Sequence, residues 1–330
     1  MNEKRLRVGL IYGGCGQEWE VSIRGRDHLL PLIDKEKYQI IPIFIDRDGR
    51  WLIEDREVYL HKGGFFAIES GDFTRVDCVI PLLHGDFGED GRVQGALECA
   101  SIPYVGCDVA SGAVCRDKAL VKMIAREIGL PTLPFLLILR NEGIDYALRC
   151  AEERFSYPMF IKPTSLGSSV GASSAESRRE LISALTVAFT LSSRVIIEPC
   201  LTHKREIECG YLGGRGKELF TNPGEILCNG LYGYEEKYSS GNVGLAIRAD
   251  ISDCQAESIR DYSRRLIRAL GVRDLSRVDF FLSGEDIYFN EINTMPGFTD
   301  GSLYAKMIEA CGIGEGELFD LLISNCIERR

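Results

Sequence analysis

Residues 277–293, RVDFFLSGEDIYFNEIN, contain two runs of strand-forming residues separated by a polar turn. Alternate side chains of a strand point to the same face, so Arg277 shares a face with Asp279, and Glu291 shares a face with Asn293. If the two strands pair as a hairpin, Asp279, Glu291 and Asn293 form one cluster of oxygen ligands. The stretch therefore predicts a β-hairpin that carries a functional site.

Two carboxylates in such a cluster require a cation. At about 4 Å apart they would repel by about 4 kcal/mol at an effective dielectric of 20, so a positive ion is expected between Asp279 and Glu291. Oxygen ligands suit Mg²⁺ or Mn²⁺, which usually keep waters and bridge to substrate phosphates. An exposed strand face with Arg277 as a salt-bridge partner is the alternative, and the hairpin alone leaves it open.

A second informative stretch is FIKPTSLGSSVG, residues 160–171, which predicts a buried strand that delivers Lys162 into a Gly/Ser loop. Glycines let backbone N–H groups approach a phosphate closely, hydroxyls add donors, and Lys162 supplies a positive charge. A flexible hairpin is the alternative for this stretch taken alone. Together with the oxygen cluster, it favours a nucleotide site.

Other polar residues fit the same site. Asp117-Lys118 opens a helix and places a second lysine either on phosphate or on a solvated helix face. Glu198, at the end of a predicted strand, and Glu206 are able to accept hydrogen bonds from an adenine amine and from ribose hydroxyls.

Two loops have the composition of functional segments. HGDFGEDG, residues 84–91, follows a strand at its C-terminal end, where α/β proteins place their sites, and its His84 is either catalytic or structural. Glu235-Glu236-Lys237-Tyr238 lies in a long Gly-rich loop, which predicts a mobile lid.

Two glycine-rich segments resemble nucleotide-binding loops without meeting their requirements. Gly14-Cys15-Gly16 follows the first strand, but Trp19 occupies the position where a dinucleotide-binding turn needs its third glycine. In residues 213–217, GGRGK, the glycine spacing differs from that of a P-loop, and Glu218 stands where Ser or Thr is needed. The second segment predicts a hairpin turn.

The order of strands and helices predicts an α/β protein of three compact units, 1–106, 107–203 and 204–330. The first unit alternates strand, helix and strand, which favours a small, mostly parallel sheet. The other two combine strands with helices that end at glycine or proline.

Composition limits the class of partner. The chain has 330 residues and a net charge of -10. No stretch of it concentrates enough Lys and Arg to bind along a nucleic-acid backbone. It has no signal peptide or membrane-spanning run, so we expect a cytoplasmic protein. The twelve cysteines are scattered without CxxC spacing, which predicts buried thiols.

The motifs recur together in one known family. In order they are Gly13-Gly14 with EWEVS from Glu18, HGDFGEDG from His84, FIKPTSLGSSVG from Phe160, EEKY from Glu235, RVDFF from Arg277 and NEINTMPGFT from Asn290. Over its whole length the chain resembles the D-alanine–D-alanine ligase family of ATP-grasp enzymes. The resemblance implies three domains: an N-terminal parallel α/β substrate-binding domain (1–106), a central α+β ATP-grasp domain (107–203) and a C-terminal α+β catalytic domain (204–330).

The resemblance also implies residue roles for ATP and metal ions. Lys118, Lys162 and Lys237 would hold the phosphates, Glu198 would lie near the adenine and Glu206 near the ribose, with Ser168 and Asn290 also in the nucleotide site. Asp279, Glu291 and Asn293 would bind two Mg²⁺ or Mn²⁺ ions.

For the substrates, the resemblance implies that Glu18 accepts the ammonium group of the first D-alanine and is linked through Ser168 to Tyr238. Arg277, the N–H of Gly297, and Ser302 would fix the second D-alanine or the oxyanion. The implied reaction forms a D-alanyl phosphate, which the second amine attacks to give D-alanyl-D-alanine for peptidoglycan. A homodimer is expected, with neither nucleic acid nor membrane as partner.

Related activities remain as alternatives. A ligase that forms D-alanyl-D-lactate is disfavoured by Tyr238, which lactate-forming relatives lose. A D-alanine–D-serine ligase is the closer alternative, and Leu303, next to Ser302, favours the methyl group of D-alanine over a hydroxymethyl group. A non-catalytic nucleotide-binding regulator should lack a metal ligand or a phosphate lysine, and this chain has both.

Overall fold

The structure, a computed structural model, describes residues 5–214, 216–227, 244–299 and 301–329. Three sheets organise these residues, as the sequence predicts for three α/β units.

The first sheet has seven strands in the order β6-β5-β4-β3-β2-β1-β7. Helices α1 (Trp19–Leu29) and α2 (Arg92–Cys99) accompany it. The strands are β1 (Leu6–Gly13), β2 (Tyr38–Ile45), β3 (Trp51–Ile53), β4 (Arg56–His61), β5 (Gly64–Ala67), β6 (Phe73–Arg75) and β7 (Cys78–Pro81).

The expectation of a mostly parallel first sheet is wrong. Strand β1 pairs in parallel with β2 and β7, whereas the pairs from β2 to β6 are antiparallel. The connections explain this, because a parallel crossover needs a dozen or more residues. Only Glu54 and Asp55, both at positive φ, separate β3 from β4, as in a tight hairpin turn.

The central sheet is antiparallel, in the order β10-β9-β11-β8, and has its own core under α5 and α6. Its strands are β8 (Leu136–Leu139), β9 (Met159–Pro163), β10 (Ser173–Ala175) and β11 (Arg194–Pro199). The helices of this part of the chain are α3 (Val109–Arg116), α4 (Lys118–Glu127), α5 (Ile144–Arg154) and α6 (Arg178–Leu191), with a short 3-10 turn at Arg140–Glu142.

The third sheet follows the order β15-β14-β12-β16-β17, and β13 pairs with β12 in the hairpin expected around residues 213–217. Its strands are β12 (Arg205–Gly214), β13 (Lys217–Phe220), β14 (Gly224–Leu227), β15 (Gly244–Ala246), β16 (Leu275–Ser283) and β17 (Asp286–Asn293). Helices α7 (Asp253–Leu270), α8 (Leu303–Glu309) and α9 (Glu315–Glu328) pack with it.

The hydrophobic cores cross the predicted unit limits. One core joins Val8 and Ile80 of the first sheet to Leu275 and to Phe319 and Ile323 of α9. A second core packs α3 and α4 against the third sheet. The limits at 106 and 203 therefore stay predictions from sequence, while the first and third sheets share buried surface.

The described cysteines are free thiols, and they differ in exposure. The prediction that the cysteines are buried is therefore wrong for some of them. Those on the surface are Cys15, Cys99, Cys254 and Cys311.

Candidate active site

The predicted hairpin forms and brings its polar residues together. In the antiparallel register of β16 and β17, Asp279 lies opposite Glu291, and Arg277 lies opposite Asn293. Arg277 donates from Nε and Nη2 to the two oxygens of Asp279, at 2.7 Å each, and the Asn293 amide donates to Asp279 at 3.0 Å. Two strands thus place the cluster on one face, as their alternation predicted.

A β-bulge adjusts this face. The pairing shifts by one residue between Asp279 and Phe280, which leaves Asn290 as the extra residue of β17. Because of the bulge, Phe289 and Ile292, three positions apart, both enter the same core, which strict alternation would forbid. The intervening Asn290 accepts a hydrogen bond from Lys162 Nζ at 3.1 Å, in line with its predicted place in the nucleotide site.

Glu198 is fully buried at the end of β11 and joins two lysines. Lys122 Nζ lies 2.7 Å from one of its oxygens and Lys162 Nζ lies 2.8 Å from the other. Burial alone would raise the pKa of Glu198, but the two ammonium groups outweigh it and lower the pKa to about 2. Both oxygens therefore carry strong ion pairs.

Lys122 is also completely buried. Burial lowers its pKa more than the neighbouring Glu198 carboxylate raises it. That ion pair offsets only part of the desolvation of Lys122, so each residue of this buried pair depends on the other.

Lys118 reaches the oxygen cluster from α4. Its Nζ lies 3.1 Å from the Glu291 carboxylate and donates to the carbonyl oxygen of Leu166 at 2.8 Å. The Leu166 carbonyl belongs to the Gly/Ser loop, so one ammonium group links that loop to β17. Burial lowers the pKa of Lys118, and the Glu291 charge opposes this effect.

The Gly/Ser loop meets the first unit at Glu18. Ser168 Oγ donates to Glu18 Oε1 at 2.5 Å, and both Ser168 and its neighbour Ser169 have positive φ values, near 51° and 59°. A Cβ on Gly85 would lie 2.3 Å from Glu18 Oε2, so the 84–91 loop needs glycine there for the carboxylate to fit.

A partly buried arginine and a buried glutamate support this junction. Arg116 is held by negative charges, chiefly those of Glu89 and Glu18, which raise its pKa despite burial. Glu89 accepts from the backbone N–H of Gly85 at 2.8 Å and from that of Met295 at 3.1 Å. The 84–91 loop is thereby fixed to the segment that follows β17.

That segment contains Gly297 and Ser302. Ser302 Oγ donates to the Gly297 carbonyl oxygen, so the two predicted substrate residues are adjacent. His84 contacts the same segment through Nδ1, 3.1 Å from the Met295 carbonyl oxygen. This contact ties His84 to the segment after β17, and its catalytic role stays a prediction.

A cleft opens between the central and third sheets beside Glu198. Its walls include Phe160 of β9, Phe281 of β16 and the chain from Pro199 to Leu201. Lys204 lies 3.8 Å above the Phe281 ring and 2.7 Å from Glu206, the residue predicted for the ribose. The cleft has the composition expected of a small-molecule site.

Two predicted site residues, Lys237 and Tyr238, lie outside the described residues, as do Glu235 and Glu236.

Sequence reasoning missed three supporting residues. Lys122 lies four residues after Lys118, so helical spacing puts both on one face of α4. Glu208 alternates with Glu206 along β12, pairs opposite Asp279 and lies 3.1 Å from Arg277 Nε. Arg116 ends α3 without any motif that would have identified it.

Comparison with known proteins assigns most of the chain to two family descriptions. "D-ala D-ala ligase N-terminus" matches residues 7–64 and 60–107, and "D-ala D-ala ligase C-terminus" matches residues 124–324.

Individual relatives match along nearly the full chain. A D-alanine–D-alanine ligase of Caldicellulosiruptor bescii is 40% identical, covering 98% of this chain and 96% of the relative. One from Deinococcus radiodurans is 38% identical, covering 99% and 100%.

Solved structures agree with the fold. The VanG D-Ala:D-Ser ligase of Enterococcus faecalis has a TM-score of 0.88 at 32% identity, covering 98% of this chain and 100% of that one. The D-alanyl-alanine synthetase A of Vibrio cholerae has a TM-score of 0.90 at 29% identity, covering 98% and 99%. Within the described ranges, every helix is too short or too polar to traverse a bilayer.

Proposed function

The chain belongs to the D-alanine–D-alanine ligase family and is an ATP-dependent ligase, and from that premise we propose how its residues join two D-alanines into D-alanyl-D-alanine for peptidoglycan synthesis. The contact between Ser168 and Glu18 carries the proposal. Glu18, which we propose accepts the substrate ammonium group, lies beside the loop that we expect to cradle the nucleotide phosphates. Binding of the amino acid and binding of ATP are thus combined at one junction.

For the first step, the carboxylate oxygen of one D-alanine attacks the γ-phosphate of ATP, giving D-alanyl phosphate and ADP. Glu18 holds the ammonium group of that D-alanine, while Lys162 and Lys118 bring positive charge to the phosphates. Glu206 binds the ribose and Glu198 lies near the adenine, in the cleft between the sheets. Lys237 and Tyr238 belong to the same proposal through the resemblance.

Asp279, Glu291 and Asn293 are proposed to hold two Mg²⁺ or Mn²⁺ ions. The donor set fits, because two carboxylates and an amide are hard oxygen ligands, and Arg277 and Lys118 now balance the carboxylates. Bound metal ions supply charge neutralisation for phosphoryl transfer.

For the second step, the amine of the other D-alanine attacks the acyl phosphate carbon, and phosphate and a proton are released. The N–H of Gly297 and the guanidinium group of Arg277 stabilise the tetrahedral oxyanion. Ser302, adjacent to Gly297, binds the second carboxylate. A closed site protects the acyl phosphate from water.

Two alternatives have specific consequences. The likeness to a D-Ala:D-Ser ligase structure is the observation behind the alternative of D-serine as second substrate. The side chain of Leu303 is buried against Ile226 and Met307, and its preference for the methyl group of D-alanine stays a prediction. A non-catalytic nucleotide-binding regulator would release no phosphate.

Phosphate release with product identification tests these functions. The enzyme is given ATP and Mg²⁺ with D-alanine alone, or with D-alanine plus D-serine or D-lactate. We expect D-alanine alone to sustain turnover and the dipeptide D-alanyl-D-alanine to dominate. Phosphate release only when D-serine is added would establish the alternative substrate, and no D-alanine-dependent release would refute the proposal.

We also propose that the protein forms a homodimer and acts in the cytoplasm, and the family resemblance supports both. Light scattering of the purified chain and fractionation of the cells that produce it test them.

A further inference from the structure

Asp274 connects three distant parts of the chain immediately before β16. Its side chain is buried and accepts from the Gly106 N–H at 2.7 Å and from Arg329 Nη2 at 2.8 Å. Arg329 Nη1 donates to the other carboxylate oxygen, and Nη2 also donates to the Tyr104 carbonyl oxygen at 3.0 Å. The end of α9 and the exit of the first unit therefore meet on one carboxylate.

The backbone is fixed at the same place. Asp274 has a φ of 63°, a left-handed conformation that favours glycine and persists where its surroundings hold it. Its carbonyl oxygen accepts from the Gly213 N–H at 2.8 Å, and Arg273 Nε donates to the Gly106 carbonyl oxygen at 2.8 Å. Gly106 thus has both its N–H and its C=O held by neighbouring residues, 274 and 273.

The two sides of this junction carry different parts of the site. Tyr104 and Gly106 end the first unit, and Val105 is bonded to β7, which leads into the 84–91 loop. Asp274 directly precedes β16, the strand of Arg277 and Asp279. Apolar contacts behind the junction hold the two units together but are not directional, so they do not fix the relative orientation of the units. Hydrogen bonds to Gly106 and Tyr104 are directional and can fix it.

We propose that Asp274 and Arg329 are positioning residues that set the distance between the first amino-acid subsite, around Glu18, and the second, around Arg277. This inference rests on the proposed function, because it concerns the alignment of that function's two substrates.

Lys118, Lys162 and Glu198 of the nucleotide site pair with residues of the central and third units, so their geometry does not depend on this junction. Ser168 is the exception, because it contacts Glu18 of the first unit.

The test uses the full-length enzyme with the substitutions Arg329→Gln and Asp274→Asn. Because a misplacement of about 1 Å can cost a hundredfold in rate, we expect kcat/KM for D-alanine to fall by about tenfold or more. The KM for ATP should stay within about twofold, since Lys118, Lys162 and Glu198 keep their places. Arg329→Lys retains the charge and one donor, and should give an intermediate loss.

Hydrogen exchange provides a readout independent of activity. The Gly106 amide should exchange faster in both variants than in the wild type, because its acceptor is displaced or weakened. The matched control is Asp320→Asn, which removes another ion pair, with Lys37, between α9 and the first unit, but at the exposed surface. It should change neither the kinetics nor the exchange at Gly106.

The inference would be overturned if the KM for ATP rose by the same factor by which kcat/KM for D-alanine fell. It would also be overturned if the kinetics with D-alanine were unchanged while the Gly106 amide exchanged faster. Unchanged exchange would also overturn it, because the hydrogen bond would then not hold the junction. A wild-type enzyme that releases no phosphate with D-alanine would instead refute the proposed function, and the exchange result would still report on the junction.

Discussion

The Ser168 hydroxyl donates to the Glu18 carboxylate at 2.5 Å, although the two residues are 150 positions apart. Ser168 belongs to the loop that follows Lys162, and Glu18 immediately precedes α1 of the first unit. Because the loop residue adopts a left-handed backbone, its hydroxyl direction depends on the loop conformation. The orientation of the proposed ammonium-binding carboxylate is therefore coupled to the nucleotide-binding loop.

Ser168→Ala removes this contact and should raise the KM for D-alanine. A hydrogen bond to a charged group contributes about 1.5–3 kcal/mol, so we expect an increase of roughly tenfold to a hundredfold. Steady-state kinetics with varied D-alanine at saturating ATP measure it. Ser183→Ala, on the exposed face of α6, is the control, and equal behaviour of the two variants would contradict the assigned contact.

Glu198→Gln should strongly destabilise the fold, because it leaves the ammonium group of fully buried Lys122 without its counter-ion. Loss of one partner of a buried pair costs about 3–5 kcal/mol. Urea unfolding at pH 7, followed by tryptophan fluorescence, measures the change. Glu218→Gln breaks an exposed pair with Arg268 and should cost at most about 1 kcal/mol.

The same glutamate predicts a pH dependence. Its pKa is lowered in the folded protein from 4.5 to about 2, so the folded state favours the ionised form more than the unfolded state does. The stabilisation is fully present above pH 4.5 and is lost as the pH falls through the folded pKa. The stability difference between wild type and Glu198→Gln should therefore shrink between pH 4.5 and pH 2, and a constant difference would contradict the assignment.

The oxygen cluster could be predicted because two local rules suffice for it. Strand alternation put Asp279 on the face of Arg277, and the short turn between the strands made a hairpin the simplest pairing. The bulge at Asn290 could not be predicted in this way. It depends on Phe289 and Ile292 entering one core, and that requirement is visible only when the core is known.

Contacts between residues far apart in the sequence could not be predicted from the sequence. Helical spacing could have placed Lys122 beside Lys118, but only the packing of α4 against β11 shows that Glu198 is its partner. Glu208 could be assigned to Arg277 only from the register of β12 with β16. The antiparallel part of the first sheet was missed because its strands β3 to β6 have only three to six residues, too few for a clear strand pattern.

Asp279→Asn should raise the Mg²⁺ concentration needed for half-maximal activity. Replacing a residue that only hydrogen-bonds to a metal ligand lowers the metal affinity by about tenfold to a hundredfold. Replacing a ligand itself should therefore lower the Mg²⁺ affinity by about tenfold or more. Activity titrations with Mg²⁺ and calorimetric titrations with Mn²⁺ measure the two effects. Asp286→Asn, at the exposed start of β17, is the control, and an unchanged Mn²⁺ affinity in Asp279→Asn would exclude Asp279 as a ligand.

Arg277→Lys should lower kcat while leaving the KM for ATP nearly unchanged. The guanidinium group spans both oxygens of Asp279 and also reaches Glu208, an arrangement that a single ammonium group cannot reproduce. Loss of an oxyanion donor costs about a hundredfold to a thousandfold in kcat. Arg268→Lys, in an exposed ion pair with Glu218, provides the matched control and should retain wild-type kinetics. If Arg277→Lys raised only the KM for D-alanine, Arg277 would bind the second carboxylate in the ground state and the oxyanion would depend on Gly297.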